Sequence, residues 1–104
     1  MKLTIVSAQG RKVYNFSEGK ITVGRDPSNA VVLRDEGVSR FHAELWREGR
    51  AWRIKDCGST NGTSVNGLSV EKAELREGDN ISIGDVTIGI SLEEPRWVKK
   101  LLVW

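Results

Sequence analysis

The stretch Ile81-Ser82-Ile83-Gly84-Asp85-Val86-Thr87-Ile88 places apolar and polar side chains in alternation on either side of Gly84-Asp85, a two-residue turn signal. Alternation with a period of two buries one face of a strand and wets the other, so the stretch predicts an antiparallel hairpin. The same pattern recurs outward from it. Val65 and Leu68 bracket Asn66-Gly67, a pair that favours a type I′ turn because both residues tolerate positive φ. His42 to Trp46, with the alternating Ala43-Glu44-Leu45, and Trp52 to Ile54 flank Glu48-Gly49-Arg50, a third hairpin signal.

Toward the N-terminus, Leu3-Thr4-Ile5-Val6, Val13-Tyr14-Asn15-Phe16, Ile21-Thr22-Val23 and Val31-Val32-Leu33 each end at a Gly-bearing turn signal. At this spacing the chain holds about ten or eleven short strands, and no stretch before residue 93 keeps a helical period. The predicted fold is all-β, a β-sandwich of two mainly antiparallel sheets. With 104 residues the chain has room for one domain, read here as residues 1–92. A domain of this size buries roughly 65% of its unfolded surface and needs no metal or disulfide staple.

Residues 93–104 read differently. Pro95 breaks the last strand; beyond it Trp97, Leu101 and Trp104 fall on one broad helical face with Val98 and Leu102, although Val103 breaks the pattern. The pattern predicts a short amphipathic C-terminal tail. It could pack on its own sandwich, meet a partner or membrane surface, or begin a region beyond this chain.

Composition removes several function classes. Sixteen Lys+Arg against fourteen Asp+Glu leave +2, without the basic stripe that non-specific nucleic-acid binding requires. Arg25, Arg34, Arg40, Arg47, Arg50 and Arg53 alternate to different surfaces, and Glu44, Glu48 and Asp56 interrupt them. The single Cys57 excludes an internal disulfide and a multi-Cys zinc site, and the single His42 excludes a His-rich metal centre. No metal or cofactor is expected. No segment has the roughly 20 apolar residues of a membrane helix, and the N-terminus lacks a signal peptide's apolar core, so the expected compartment is cytoplasmic.

Three loop clusters carry the chemistry: Gly24-Arg25, Ser39-Arg40-Phe41-His42, and Gly58-Ser59-Thr60-Asn61-Gly62-Thr63. Each lies at or beside a predicted strand end, and loops at one end of a sandwich can converge. They supply two guanidinium groups, hydroxyls, an amide and Gly-rich backbone, with no carboxylate among them. That donor set suits a phosphate on a side chain, which brings about −1.5 to −2 charge and three strong acceptor oxygens. A Cys57–His42 or Ser39–His42 hydrolase pair is disfavoured. In an extended strand Ser39 and His42 face opposite ways unless the chain bends, and Asp56 beside Cys57 opposes the reactive thiolate.

From about residue 3 to residue 92 the chain resembles a forkhead-associated (FHA) domain. Gly24-Arg25, Ser39-x-x-His42 and Asn61-Gly62 match that family's sparse signature in order and approximate spacing, and the stretch from Asp56 to Gly67 resembles its most recognisable segment. The resemblance implies a non-catalytic module that binds phosphothreonine. Arg25, Ser39, Arg40 and Thr60 would surround the phosphate, and Asn61 would hold the bound peptide's backbone. Gly24 and Gly62 would allow the turns, and His42 would brace the loops. The implied partner is a phosphothreonine-bearing protein, a Ser/Thr kinase or its substrate. The alternative is a degenerate scaffold that binds proteins without phosphate. Cys57 and Ser64 depart from the family's usual larger aliphatic and aromatic residues, and neither departure removes a phosphate ligand.

Overall fold

The computed structural model describes residues 1–92, and among them eleven strands. They are β1 (Lys2–Ser7), β2 (Gly10–Asn15), β3 (Lys20–Gly24), β4 (Val31–Val32), β5 (Ala43–Glu48), β6 (Ala51–Asp56), β7 (Thr63–Val65), β8 (Leu68–Val70), β9 (Lys72–Leu75), β10 (Asn80–Ile83) and β11 (Val86–Ser91). One sheet has six strands in the order β2-β1-β11-β10-β7-β8, and the other has five in the order β4-β3-β5-β6-β9. Every pairing is antiparallel except β3 with the two-residue β4. The all-β sandwich expected from the sequence is the fold. The tail expected to be helical lies outside the described residues.

The alternation that marked the strands also sorts them between core and solvent. Along β11, Val86, Ile88 and Ile90 are buried while Thr87, Gly89 and Ser91 are half-exposed. Leu3, Ile5, Ile81 and Ile83 join them from the six-stranded sheet; Ile21, Val23, Leu45, Trp52, Ile54 and Leu75 meet them from the other. Each such side chain contributes about 1.5–3 kcal/mol on burial. Of the tryptophans, Trp52 is core, whereas Trp46 stands half-exposed with Lys72 Nζ 5.4 Å from its ring centroid.

Two turns formed as expected. Asn66 (φ 51°) and Gly67 (φ 83°) both take positive φ between β7 and β8, the requirement of a type I′ hairpin. Between β10 and β11 only Gly84 is positive (φ 58°), so this turn places its glycine where a type II′ hairpin needs it. The third hairpin is tighter than the sequence suggested: Glu48 pairs with Ala51, leaving Gly49-Arg50 as the turn. Strand β9, Lys-Ala-Glu-Leu, is absent from the runs recognisable in the sequence. Lysine, alanine and glutamate are poor strand formers, and pairing with β6 and burial of Leu75 override that preference.

Candidate functional site

Three loops meet at one end of the sandwich: residues 25–30 after β3, 33–42 between β4 and β5, and 57–62 between β6 and β7. Backbone bonds tie the first to the second, Arg25 N–H to Ser39 O at 3.0 Å and Asp26 N–H to Arg40 O at 3.1 Å. This approach explains Gly24, which the sequence suggested as a turn former. It lies at the end of β3, and a Cβ there would stand 2.2 Å from Arg40 O and 2.9 Å from Asn29 Nδ2. Gly24 therefore serves close backbone packing. Gly62, by contrast, does take a left-handed turn conformation, with φ 83°.

The middle loop offers carbonyls that aim the side chains of its neighbours. Arg25 Nε donates to Val38 O at 3.1 Å, which leaves both terminal nitrogens of its exposed guanidinium for a ligand. Asn61 Nδ2 donates to Gly37 O at 3.0 Å, leaving its carbonyl oxygen and one N–H. Ser39 Oγ accepts the Thr60 N–H at 3.0 Å, so its own proton is free to donate. Arg40, Thr60 and Asn61 are exposed, and Ser39 is half-buried between them. All five proposed ligands thus stand on one connected set of loops.

His42 lies beneath them, fully buried. Its Nδ1 accepts the Ser39 N–H at 3.0 Å and its Nε2 lies 2.8 Å from Gly62 O. A carbonyl only accepts, so Nε2 carries the ring proton, and one imidazole joins the second loop to the third. The chain does bend at Arg40-Phe41, yet the ring bonds the Ser39 backbone and leaves its hydroxyl to Thr60. Cys57 is exposed; desolvation first, and then the Glu44 carboxylate, push its thiol above the ordinary range. Neither pairing assembles an activated nucleophile.

Two organising residues escaped the sequence reading. Asn29 is buried, and its Nδ2 donates to Asp26 O at 2.9 Å and to Arg40 O at 2.7 Å, pinning the loop of Arg25 to that of Ser39. Asp56 ends β6 below the third loop. Its carboxylate accepts the Ser59 N–H at 2.9 Å, the Ser59 hydroxyl, and the Thr63 hydroxyl at 2.7 Å. Burial opposes its ionisation, but the bonds from Ser59 and Thr63 prevail and hold its carboxyl below the usual range. The available signals were the Asp56-x-x-Ser59 spacing and the turn-rich Asp26-Pro27-Ser28-Asn29.

The departures at Cys57 and Ser64 are harmless to the core. Cys57 is exposed, and Ser64 is half-exposed in a row with Ser69 and Ser82 across three strands. Four cations away from these loops, Lys20, Arg47, Arg53 and Lys55, are engaged within the protein. Arg47 donates to Gly49 O and Ser17 O, Arg53 stands between Glu48 and Glu74, and Lys20 and Lys55 share Glu44. No helix among the described residues is long and apolar enough to cross a membrane.

Comparison with known proteins yields a match to the family model described as FHA domain, over residues 21–84. The glycogen accumulation regulator GarA of Mycolicibacterium smegmatis is 44% identical over 63 residues, 61% of this chain and 40% of GarA. The FHA domain-containing protein FhaA of Mycobacterium tuberculosis is 38% identical over 73 residues, 70% of this chain and 14% of FhaA. The chain thus spans less than half the length of these two relatives. Among solved structures, an FHA domain with phosphothreonine-dependent interactions superimposes with a TM-score of 0.81 at 34% identity, covering 90% of this chain and 96% of its own.

Proposed function

The chain belongs to the FHA domain family, and from that premise we propose that it is a phosphothreonine-dependent protein-interaction module that performs no reaction of its own. The observation that carries this reading is the convergence of Arg25, Ser39 and Thr60, with Arg25 aimed by Val38 O and Ser39 by the Thr60 N–H. A guanidinium fork and a free hydroxyl proton can meet two or three oxygens of a phosphate. Arg40 adds a second cation at the rim. Asn61, with one N–H and its carbonyl oxygen free, can pair with an extended peptide backbone as a strand does.

The regulatory names of relatives such as GarA and the corynebacterial oxoglutarate dehydrogenase inhibitor support binding as the activity. The partner would be a phosphothreonine-bearing protein, a Ser/Thr kinase or its substrate, met in the cytoplasm where such kinases act. The binding domain is assigned to residues 1–92, with 93–104 a separate tail. A peptide library fixed on phosphothreonine, run beside its unphosphorylated twin, tests the reading. Selection of defined sequences only from the phosphorylated library supports it, and equal retention of both favours the degenerate scaffold.

A further inference from the structure

The sandwich carries a second concavity beside the phosphate loops. Edge strands β2 and β4, one from each sheet, lie on the same side of the molecule and leave between them a groove of about 420 Å³. Its floor includes Ile5, Leu33 and Val86, which belong to the core, and its rim carries Arg11, Lys12 and Arg34. No carboxylate lines it. None of the three rim cations has an ion-pair partner among the described residues, unlike Lys20, Arg53 and Lys55, which all pair with glutamates. Lys12 instead sits over the Tyr14 ring, 5.1 Å from its centroid.

The groove is tied to the phosphate end. Gln9, in the turn between β1 and β2, donates from Nε2 to Arg34 O at 3.1 Å. The same loop then presents Gly37 O to Asn61 and Val38 O to Arg25. Val38 lies four positions after Arg34, so their Cα atoms lie within about 14 Å even if that stretch were fully extended. A single ligand chain of ordinary length reaches both places.

We propose that this groove is a second docking subsite for an acidic segment bearing one apolar anchor side chain, carried by the same phosphorylated partner. The inference rests on the phosphothreonine reading above. Uncompensated cations around an apolar floor complement a ligand of that chemistry: carboxylates meet Arg11, Lys12 and Arg34, and the anchor covers Ile5 and Leu33. Linking two weak contacts makes the second intramolecular, so modest rim interactions gain from the effective concentration.

The test uses the full chain and three phosphothreonine peptides: a minimal one, one extended through a flexible Gly/Ser linker to an acidic arm around a single leucine, and one extended to a lysine arm. The acidic arm is expected to tighten binding about tenfold at low salt, with the gain fading as salt screens the rim. Arg11→Glu combined with Lys12→Glu should abolish the gain while leaving the minimal peptide's affinity unchanged; Arg34→Gln provides an independent check should the double variant fold poorly. No gain, an equal gain from the lysine arm, or a gain that survives the rim substitutions in folded protein overturns the subsite. A minimal peptide that does not bind overturns the phosphothreonine reading instead. The groove is then read by the unphosphorylated acidic arm alone, whose amide NMR shifts must fall on Arg11, Lys12 and Arg34; shifts elsewhere, or none, overturn it.

Discussion

The Ser39 hydroxyl oxygen accepts the backbone N–H of Thr60 across 21 positions of sequence, at 3.0 Å. That bond brings together the two loops that the family resemblance assigned to one phosphate, and it leaves the Ser39 proton free to donate. Ser39→Ala removes both the donor and the tie between loops. Phosphopeptide affinity is expected to fall about tenfold or more, since a hydrogen bond to a charged group is worth roughly 1.5–3 kcal/mol. An unchanged affinity by isothermal titration would remove Ser39 from the site.

Arg25 should matter more for binding than for folding. Its guanidinium is exposed and its one internal bond is to Val38 O. Arg25→Ala is expected to weaken phosphopeptide binding by about tenfold to a hundredfold, with a melting temperature close to that of the parent. Arg25→Lys should also bind more weakly, because it keeps the charge and loses the planar fork. Titration of both variants beside thermal melts checks the pair of expectations.

Gly24→Ala is expected to act in the opposite way, on stability first. A Cβ 2.2 Å from Arg40 O cannot be accommodated without moving the backbone that joins the first two loops. Overpacking of this kind costs about 1–3 kcal/mol. Urea melts should show that loss, and the displaced Arg40 should carry a loss of phosphopeptide affinity with it. A variant of parental stability would contradict the packing account of Gly24.

How far the sequence could be read depended on whether the signal was local. Alternation along Val86-Thr87-Ile88 and positive-φ residues at Asn66-Gly67 are local properties, and both led to the observed hairpins. Strand β9 was invisible because Lys72, Ala73 and Glu74 have no strand preference of their own and acquire the conformation from β6. The residues proposed as ligands were named from the family's spacing, and the structure sets them on connected loops. Their supports were not: the two bonds of Asn29, and the carbonyls of Gly37 and Val38, exist only once distant loops meet. Gly24 was found for the wrong reason, since close approach to Arg40 cannot be told from a turn in one dimension.

Asp56 makes the third loop sensitive to acid. Its folded carboxyl titrates below the ordinary value of about 3.9, so the unfolded chain binds its proton first as pH falls. Its stabilising contribution is therefore complete above about pH 4 and is lost as pH drops through the lower folded value. Asp56→Asn should lower stability by about 1–3 kcal/mol at neutral pH, because Ser59 and Thr63 lose an anionic acceptor. The variant should also show a flatter stability profile below pH 4. Denaturant titrations of both proteins between pH 2 and 7 test this, and parallel profiles would exclude Asp56 as the acid-sensitive group.

The proposed site holds a phosphate where the loops of Arg25, Ser39 and Thr60 converge. The most direct measurement is an amide NMR titration of the chain with a phosphothreonine peptide, its phosphoserine counterpart and the unphosphorylated form. The largest shifts are expected on Arg25, Ser39, Arg40, Thr60 and Asn61, while the outer face of the five-stranded sheet around Trp46 stays unmoved. Phosphothreonine should bind several-fold more tightly than phosphoserine, because burying one methyl contributes roughly 0.8 kcal/mol. Equal shifts from the unphosphorylated peptide, or shifts centred on a sheet face, would contradict it.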